Sequence, residues 1–235
     1  AAIRRHARLM LCFGGLAAKN GAVAAGGAAQ SYGPNMRAAA ADGVRMVNIS
    51  PYRGDTEAAL AAEWVPIRPG TDTAMLLAMI SHIVALGREN RAFLASHCVG
   101  WDKLRPTLAG RTPEWAEGIT GVPAATIREL AERCLAEPTM LTATWSLQRA
   151  DFGEQPYWAL IALAAVLGRI GQPGQGVAFG LGSIGGMGNP RREMPGITLP
   201  PAANRVSRFI PVGRITELLE RPGGTLRYNG RNLPL

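Results

Sequence analysis

Cysteine is scarce in this 235-residue sequence, and the spacing of the cysteines excludes several kinds of metal site. Cys12, Cys98 and Cys134 are far apart, and no CxxC pair occurs. Structural zinc and iron–sulfur sites need thiolates at short, regular spacings, so these residues offer no such framework. We expect each cysteine to be a small core residue.

Long apolar runs are absent as well. The longest, residues 157–168, has about a dozen residues, whereas a helix that spans a bilayer needs roughly twenty. This run predicts a buried helix and no membrane span. With 47% hydrophobic and 18% charged residues, the composition is typical of a globular protein with a sizeable core.

Acidic residues are fewer than basic ones, and the formal net charge is +8. Much of the excess lies in residues 191–235, where eight arginines face only Glu193, Glu217 and Glu220. Such a segment is compatible with a non-enzymatic module that binds nucleic acid. However, its arginines are dispersed among Pro and Gly, without interleaved aromatic residues or a recognition motif, so we expect no nucleic-acid partner.

Apolar segments with strand and helix patterns alternate along the chain. Strands are predicted at residues 8–13, 44–50, 64–67 and 139–145, and helices at residues 34–42, 74–86, 123–136, 157–168 and 210–220. This alternation predicts an α/β fold with a mainly parallel sheet flanked by helices, over residues 1–175. Residues 176–235 are predicted to be a Gly-, Pro- and Arg-rich loop region with one short helix.

One glycine motif has the form of a dinucleotide-binding fingerprint. Residues 180–185 read GLGSIG, but Gly186 to Pro190 cannot readily begin the helix that would hold a pyrophosphate. No acidic residue follows at about twenty positions, where the ribose contact is expected. We interpret the motif as a flexible loop, or as a place where the backbone approaches a bulky cofactor.

Several segments at the predicted strand ends together resemble one enzyme family. They are FGGLAAKN at 13–20, NISPYR at 48–53, WVPIRPGTDT at 64–73, residues 93–100, and TWSLQRADFGEQPYW at 144–158. In order and spacing they are similar to the dimethyl sulfoxide reductase family, most closely to its biotin sulfoxide and trimethylamine N-oxide reductase branch. The resemblance implies a Rossmann-like cofactor-binding region of a molybdenum oxidoreductase that binds molybdenum bis(molybdopterin guanine dinucleotide) and reduces S-oxides or N-oxides.

The resemblance also assigns roles to residues at the first two strand ends. Lys19 and Asn20 would line one guanine dinucleotide, although a loop lysine is otherwise read as a solvated charge. Ser50 and Pro51 would shape the next strand end around the ribose. At the position of Ser50 the family more often has Asp, and a hydroxyl binds a ribose more weakly than a carboxylate does.

Gly70, Thr71 and Asp72 are the candidates with the best chemical rationale. Guanine presents its N1–H and its exocyclic amine side by side, so that one carboxylate can accept both hydrogen bonds, and Gly70 lets the base approach the backbone. We therefore expect Asp72 to bind the base. The alternative is that Thr71 or Asp72 simply caps the helix that begins near Ala74.

Trp145, Ser146 and Arg149 lie at the end of the last predicted strand and, by the resemblance, face the pterin and the substrate funnel. Arginine stays charged and offers planar, paired donors, which suits anionic pyrophosphate and dithiolene groups. The alternatives are that Trp145 is a residue of the hydrophobic core and that Arg149 is a solvated charge on the surface.

The resemblance implies that other parts of the enzyme lie outside these residues. The serine that ligates the metal would lie upstream, and a C-terminal domain would supply further cofactor contacts. We therefore expect no catalytic residue and no metal ligand here, and a central fragment that is inactive alone. The substrate would be a small S-oxide or N-oxide, an electron-donor protein is a further partner to consider, and the bacterial periplasm is favoured over the cytoplasm.

Overall fold

The computed structural model describes residues 2–16, 32–56, 58–179 and 209–234. The chain divides into two compact units, Ala1–Met194 and Pro195–Leu235. The first unit contains a sheet whose strands are β1 (Leu9–Phe13), β2 (Arg45–Ile49), β3 (Glu63–Val65), β4 (Thr139–Ala143) and β5 (Gly176–Phe179). All neighbouring strands are parallel, which confirms the predicted α/β class.

The strand order β3-β2-β1-β4-β5 places a topological switch point between β1 and β4. From β1 the chain moves outward to β2 and β3, and it then returns through helices to β4 on the other side of β1. Every residue of β1 and of β4 is buried, as expected for central strands covered on both faces. Phe13, the last residue of β1, is level with Ile49 and Ala143, so three strands end at one edge of the sheet.

Helices cover both faces of this sheet. They are α1 (Ala2–His6), α2 (Tyr32–Ala41), α3 (Asp72–Ala85), α4 (Arg91–His97), α5 (Trp101–Thr107), α6 (Pro113–Thr120), α7 (Ala124–Ala136) and α8 (Gln155–Val166). Leu9, Leu11 and Phe13 point to the core formed with α3, α6, α7 and α8. The alternate residues Met10 and Cys12 join a smaller core with α2. This alternation follows from the two-residue period of a strand.

Two predicted strands are shorter than expected. The strand predicted over 139–145 ends at Ala143, because Trp145–Gln148 form a 3-10 turn, and the one predicted over 64–67 is Glu63–Val65. Residues 176–179 were assigned to a loop region, but they form β5 at the edge of the sheet. The signal for β5 is weak, because only Val177, Ala178 and Phe179 follow its glycine. Helices α1, α4, α5 and α6 were also not predicted.

The second unit contains a 3-10 turn at Val212–Arg214, helix α9 (Ile215–Glu220) and a hairpin of β6 (Thr225–Tyr228) and β7 (Arg231–Pro234). The antiparallel hairpin turns at Asn229 and Gly230, which both have positive φ, as a two-residue Asn-Gly turn requires. The predicted helix over 210–220 is thus shorter, and the hairpin was not predicted.

Within residues 2–16, 32–56, 58–179 and 209–234, no helix is both long enough and apolar enough to cross a bilayer. The same part of the chain contains no group of three His, Cys, Asp or Glu side chains placed to hold a metal ion. Cys12 and Cys134 are buried as expected, whereas Cys98 is only partly buried.

Candidate functional site

A cleft of about 680 Å³ lies at the carboxyl edge of the sheet. Residues that follow β1, β2, β3 and β4 line it, which is where open parallel sheets bind ligands. Half of the ten predicted site residues are among them: Pro51, Gly70, Asp72, Ser146 and Arg149. The structure therefore brings together side chains that are up to a hundred positions apart in sequence, in a cavity of the size typical of small-molecule sites.

Gly14 forms the floor of this cleft at the switch point. Its φ is +87°, and a Cβ atom there would overlap the side-chain hydroxyl of Thr144. The backbone N–H of Thr144 donates to the carbonyl of Phe13 at 3.0 Å, and its Oγ1 donates to the carbonyl of Gly14 at 3.3 Å. The ends of β1 and β4 are thus joined so closely that only glycine fits. Gly14 was not among the predicted site residues, although a Gly-Gly pair after a buried strand is a signal for it.

Asp72 is the first residue of α3 and is only 3% exposed. Burial raises the pKa of its carboxyl to about 6, and a hydrogen bond from its own backbone amide opposes this shift. Thr71 occupies the N-cap position, but its hydroxyl donates to the carbonyl of Arg68 at 2.7 Å and makes no cap hydrogen bond. Capping by Thr71, one of the two alternatives, is therefore not what the structure shows. A desolvated carboxylate at a cleft is a group that donors from a ligand would stabilise.

The raised pKa of Asp72 predicts a pH-dependent stability. In the unfolded chain the carboxyl ionises near 3.8, and in the folded protein it ionises near 6. Ionisation of Asp72 is therefore less favourable in the folded state than in the unfolded chain. The folded protein loses stability as the pH rises from about 4 through about 6. We expect Asp72→Asn to make the cofactor-free protein more stable at about pH 8 by up to about 3 kcal/mol, and to make little difference below about pH 3, where the carboxyl is protonated in both states.

Urea unfolding of the parent and of Asp72→Asn over this pH range checks the prediction. Asp102→Asn is a suitable control, because Asp102 also lies in the first turn of a helix, but it is exposed. A stability difference for Asp72→Asn that stays constant with pH would contradict the desolvation of this carboxylate.

Gly70 and Pro51 line the same cleft as Asp72. Gly70 has a φ of +75° and no atom within 4 Å of the place where a Cβ would be, so its backbone faces open space. Pro51 is exposed at the cleft, whereas Ser50 is fully buried beside it. The hydroxyl of Ser50 donates to the carbonyl of Tyr52 at 3.1 Å. Ser50 thus shapes the turn from within and is not among the residues that line the cleft.

Trp145 lies in the 3-10 turn after β4, with its ring centroid 6.3 Å from that of Tyr157 on α8. Its indole Nε1 is buried and has no hydrogen-bond partner within the described residues. The hydroxyl of Tyr157 donates to the carbonyl of Thr144 at 2.7 Å and so ties α8 to this turn. Trp145 is half-buried and lies two residues beyond the end of β4. It is not among the residues that line the cleft.

Ser146 and Arg149 reach the cleft from the same turn, and both are exposed. The hydroxyl of Ser146 lies 2.6 Å from that of Thr144. Arg149 makes no ion pair or side-chain hydrogen bond to any residue that the structure describes, which leaves its donors available to an anion. Lys19, Asn20 and the glycine motif at 180–185 lie outside the described residues.

These features define the class of the protein: an α/β unit with a polar ligand cleft at the switch point of a parallel sheet, as in nucleotide- and cofactor-binding proteins. Comparison with known proteins gives the family. The model of the molybdopterin oxidoreductase family matches residues 20–226, and the chain belongs to this family. Membership implies a molybdenum–pterin cofactor.

Two relatives with high identity are reductases of S-oxides or N-oxides. The chain is 40% identical to biotin sulfoxide reductase of Cereibacter sphaeroides, over 98% of this chain and 32% of that protein. It is 38% identical to dimethyl sulfoxide/trimethylamine N-oxide reductase of Rhodobacter capsulatus, over 84% of this chain and 26% of that protein. The chain thus spans about a third or less of the length of these relatives. The resemblance found in the sequence is confirmed.

A solved structure supports the fold. Acetylene hydratase from Pelobacter acetylenicus matches with a TM-score of 0.56 and 25% identity, over 70% of this chain and 22% of the other. The family that matches is that of the molybdopterin oxidoreductases, which supports the enzyme and not a nucleic-acid-binding module.

The residues of the cleft fit such a cofactor. The buried carboxylate of Asp72 lacks a donor from any other described residue, and Arg149 lacks a partner among them. The indole N–H of Trp145 is also unpaired in this part of the chain. A ligand with clustered N–H donors at one end and anionic oxygens at the other would satisfy the first two groups.

Proposed function

We propose that this chain is the cofactor-binding part of a molybdenum-dependent reductase of S-oxides or N-oxides, and that it holds the cofactor as bis(molybdopterin guanine dinucleotide). Its relatives are named as reductases of biotin sulfoxide, dimethyl sulfoxide and trimethylamine N-oxide, which supports this reaction type. The observation that carries the guanine form is the buried carboxylate of Asp72 at the cleft, which has no hydrogen-bond donor among the described residues other than its own backbone amide.

Asp72 would bind the guanine base. Its two oxygens can accept hydrogen bonds from N1–H and from the exocyclic amine, which restores the hydrogen bonds that burial removed. Adenine offers no such adjacent pair of donors, so the same carboxylate favours guanine over adenine. Gly70 would allow the base to lie against the backbone, because no side chain occupies the space beside it. Thr71 would remain the partner of Arg68.

Arg149 and the turn after β4 would face the anionic part of the cofactor. The planar guanidinium can donate two parallel hydrogen bonds to a phosphate, and it stays charged at any physiological pH. Ser146 adds a hydroxyl at the same wall. Lys19 and Asn20 would contribute from the strand end after β1. When bound, the cofactor supplies the metal that accepts the oxygen atom of the substrate, and this chain supplies orientation and charge.

The substrate of the complete protein would be a small S-oxide or N-oxide, as the names of its relatives suggest. The family resemblance further leads us to propose an electron-donor protein as a partner and the bacterial periplasm as the compartment. We expect no catalytic side chain in these residues, because the cofactor would supply the oxygen-transfer chemistry.

Analysis of the complete protein tests the proposed function. The protein, purified from a host that makes the cofactor, should contain molybdenum and release two guanine nucleotides per metal on acid treatment. It should also oxidise a reduced viologen dye only when an S-oxide or N-oxide is added. A molybdenum-containing protein that releases no guanine nucleotide would contradict the dinucleotide form, and a metal-loaded protein inert towards all such oxides would contradict the activity.

A further inference from the structure

The turn after β4 carries two groups of the cleft but is weakly held by its own hydrogen bonds. It is the 3-10 turn Trp145–Gln148, and Arg149 follows it directly. Ser146 and Arg149 line the cleft, and both are exposed. The hydrogen bond that begins the turn, from the backbone amide of Leu147 to the carbonyl of Thr144, is long at 3.4 Å. A bond of this length is weak, so the geometry of the turn depends on contacts from other elements.

Tyr157 on α8 supplies such a contact. Its hydroxyl donates to the carbonyl of Thr144 at 2.7 Å, a much shorter bond than the one within the turn. Burial raises the pKa of the Tyr157 hydroxyl, and a hydrogen bond from the backbone amide of Gln148 opposes this shift. The carboxylate of Asp72 raises the same pKa further, so Tyr157 lies within electrostatic range of the cleft. One hydroxyl thus contacts both the residue before the turn and the last residue of the turn.

Helix α8 is a well-packed support for this hydroxyl. Leu160, one helical turn after Tyr157, is completely buried, and α8 packs against α3, the helix that begins at Asp72. The ring of Tyr157 lies edge-on to Phe179 of β5 at 5.2 Å between centroids, and it also contacts Trp145. The position of the hydroxyl is therefore set by the packing of α8, and the turn is fastened to it.

We propose that Tyr157 is a positioning residue of the cofactor cleft, whose hydroxyl holds the turn after β4 in the geometry that places Ser146 and Arg149 at the cofactor. The inference rests on the proposed function, in which Arg149 binds the anionic part of the cofactor. Tyr157 is not among the residues that line the cleft, so it would act through the turn and not by contact with the cofactor. A turn that is ordered before binding loses less conformational entropy when the guanidinium forms its paired hydrogen bonds.

Tyr157→Phe in the complete protein removes the hydroxyl and keeps the ring. We expect the cofactor to dissociate roughly 3- to 10-fold faster, the equivalent of one neutral hydrogen bond. The rate at which guanine nucleotide is lost during dialysis measures this effect. An unchanged rate would overturn the proposal.

Thr107→Val is the matched control. The hydroxyl of Thr107 also donates to a main-chain carbonyl at 2.7 Å, but it does so at the end of α5, outside the residues that line the cleft. We expect this variant to lose the cofactor at the rate of the parent protein. Equal acceleration by Thr107→Val and Tyr157→Phe would overturn the proposal, because any lost hydroxyl would then have the same effect.

A double-mutant cycle with Arg149→Gln separates positioning from a general loss of stability. If Tyr157 holds Arg149 in place, Arg149→Gln should accelerate dissociation less in the Tyr157→Phe background than in the parent protein, because a misplaced guanidinium contributes less. A purely structural role of Tyr157 would lower the melting temperature and leave the two accelerations multiplicative. Multiplicative accelerations would therefore overturn the proposal.

Hydrogen exchange of the cofactor-free complete protein tests the contact itself. We expect Tyr157→Phe to speed amide exchange in peptides that cover residues 145–149 and to leave the peptides of β1 unchanged. Unchanged exchange across the turn would overturn the proposal, since the turn would then keep its geometry without the hydroxyl.

The molybdenum content of the same samples separates this proposal from the proposed function. A protein that contains molybdenum and reduces oxides, but loses its cofactor equally slowly in the parent form and in Tyr157→Phe, overturns only the role of Tyr157. A protein that never contains molybdenum overturns the proposed function, and amide exchange alone then decides whether Tyr157 holds the turn.

Discussion

Replacement of Asp72 by Ala in the complete protein is expected to weaken retention of the cofactor roughly 10- to 200-fold, or about 1.5 to 3 kcal/mol, the usual contribution of hydrogen bonds to a charged group. Asp72 is 3% exposed and lines the cleft, so its carboxylate can reach a bound base but is shielded from water. Asp72→Asn should recover only part of the loss, because an amide oxygen is a weaker acceptor and the amide NH₂ would face the donors of guanine.

The measurement is the fraction of guanine nucleotide that remains bound after dialysis of each variant. Asp102→Ala is the matched control, since Asp102 lies in the first turn of α5 but away from the cleft, and it should retain the cofactor fully. If both Asp72 variants retain the cofactor fully and only their melting temperature changes, the role of Asp72 is confined to the stability of helix α3. Asp72→Asn is thus expected both to gain stability at about pH 8 and to lose affinity for the cofactor, a trade-off that is typical of functional sites.

The second large effect is expected at Gly14. Gly14→Ala should lower the free energy of unfolding by about 2 to 4 kcal/mol, the sum of the cost of a positive φ and of steric overlap in a packed site. Gly43 has a nearly identical φ of +88°, but no atom lies within 4 Å of its Cβ position. Gly43→Ala should therefore cost only about 1 to 2 kcal/mol, the conformational part alone.

Chemical denaturation of both variants measures this difference. Thr144→Ala removes the hydroxyl that a Cβ at Gly14 would overlap, so it should partly restore the stability of Gly14→Ala. Equal losses for Gly14→Ala and Gly43→Ala, or no rescue by Thr144→Ala, would contradict the close approach of β1 and β4 at the switch point.

The sheet was predictable where strands are long and buried on both faces. β1 and β4 consist of five buried residues each, and β2 has four, so their apolar runs are unambiguous. β5 was missed because its short run follows several glycines and a proline, and this composition is also that of a loop. The short helices α4 and α5 have few buried residues, so tertiary packing rather than periodicity determines them.

The assembly of the cleft was predictable for the same reason: parallel strands end at one edge, so the residues that follow them meet. Pro51, Gly70, Asp72, Ser146 and Arg149 meet there. The environment of each side chain was not predictable. The burial of Asp72, the internal hydrogen bond of Ser50 and the packing of Trp145 on Tyr157 depend on distant segments, and no local pattern encodes them.

The central claim is that Asp72 recognises a guanine base at the carboxyl edge of this sheet. A structure of the complete protein with its cofactor tests it most directly. In that structure we expect the Asp72 carboxylate to accept hydrogen bonds from N1–H and the exocyclic amine of one guanine, with Gly70 beside the base and Arg149 in the same cleft. A guanine bound elsewhere, with Asp72 hydrogen-bonded only to protein donors, would contradict it.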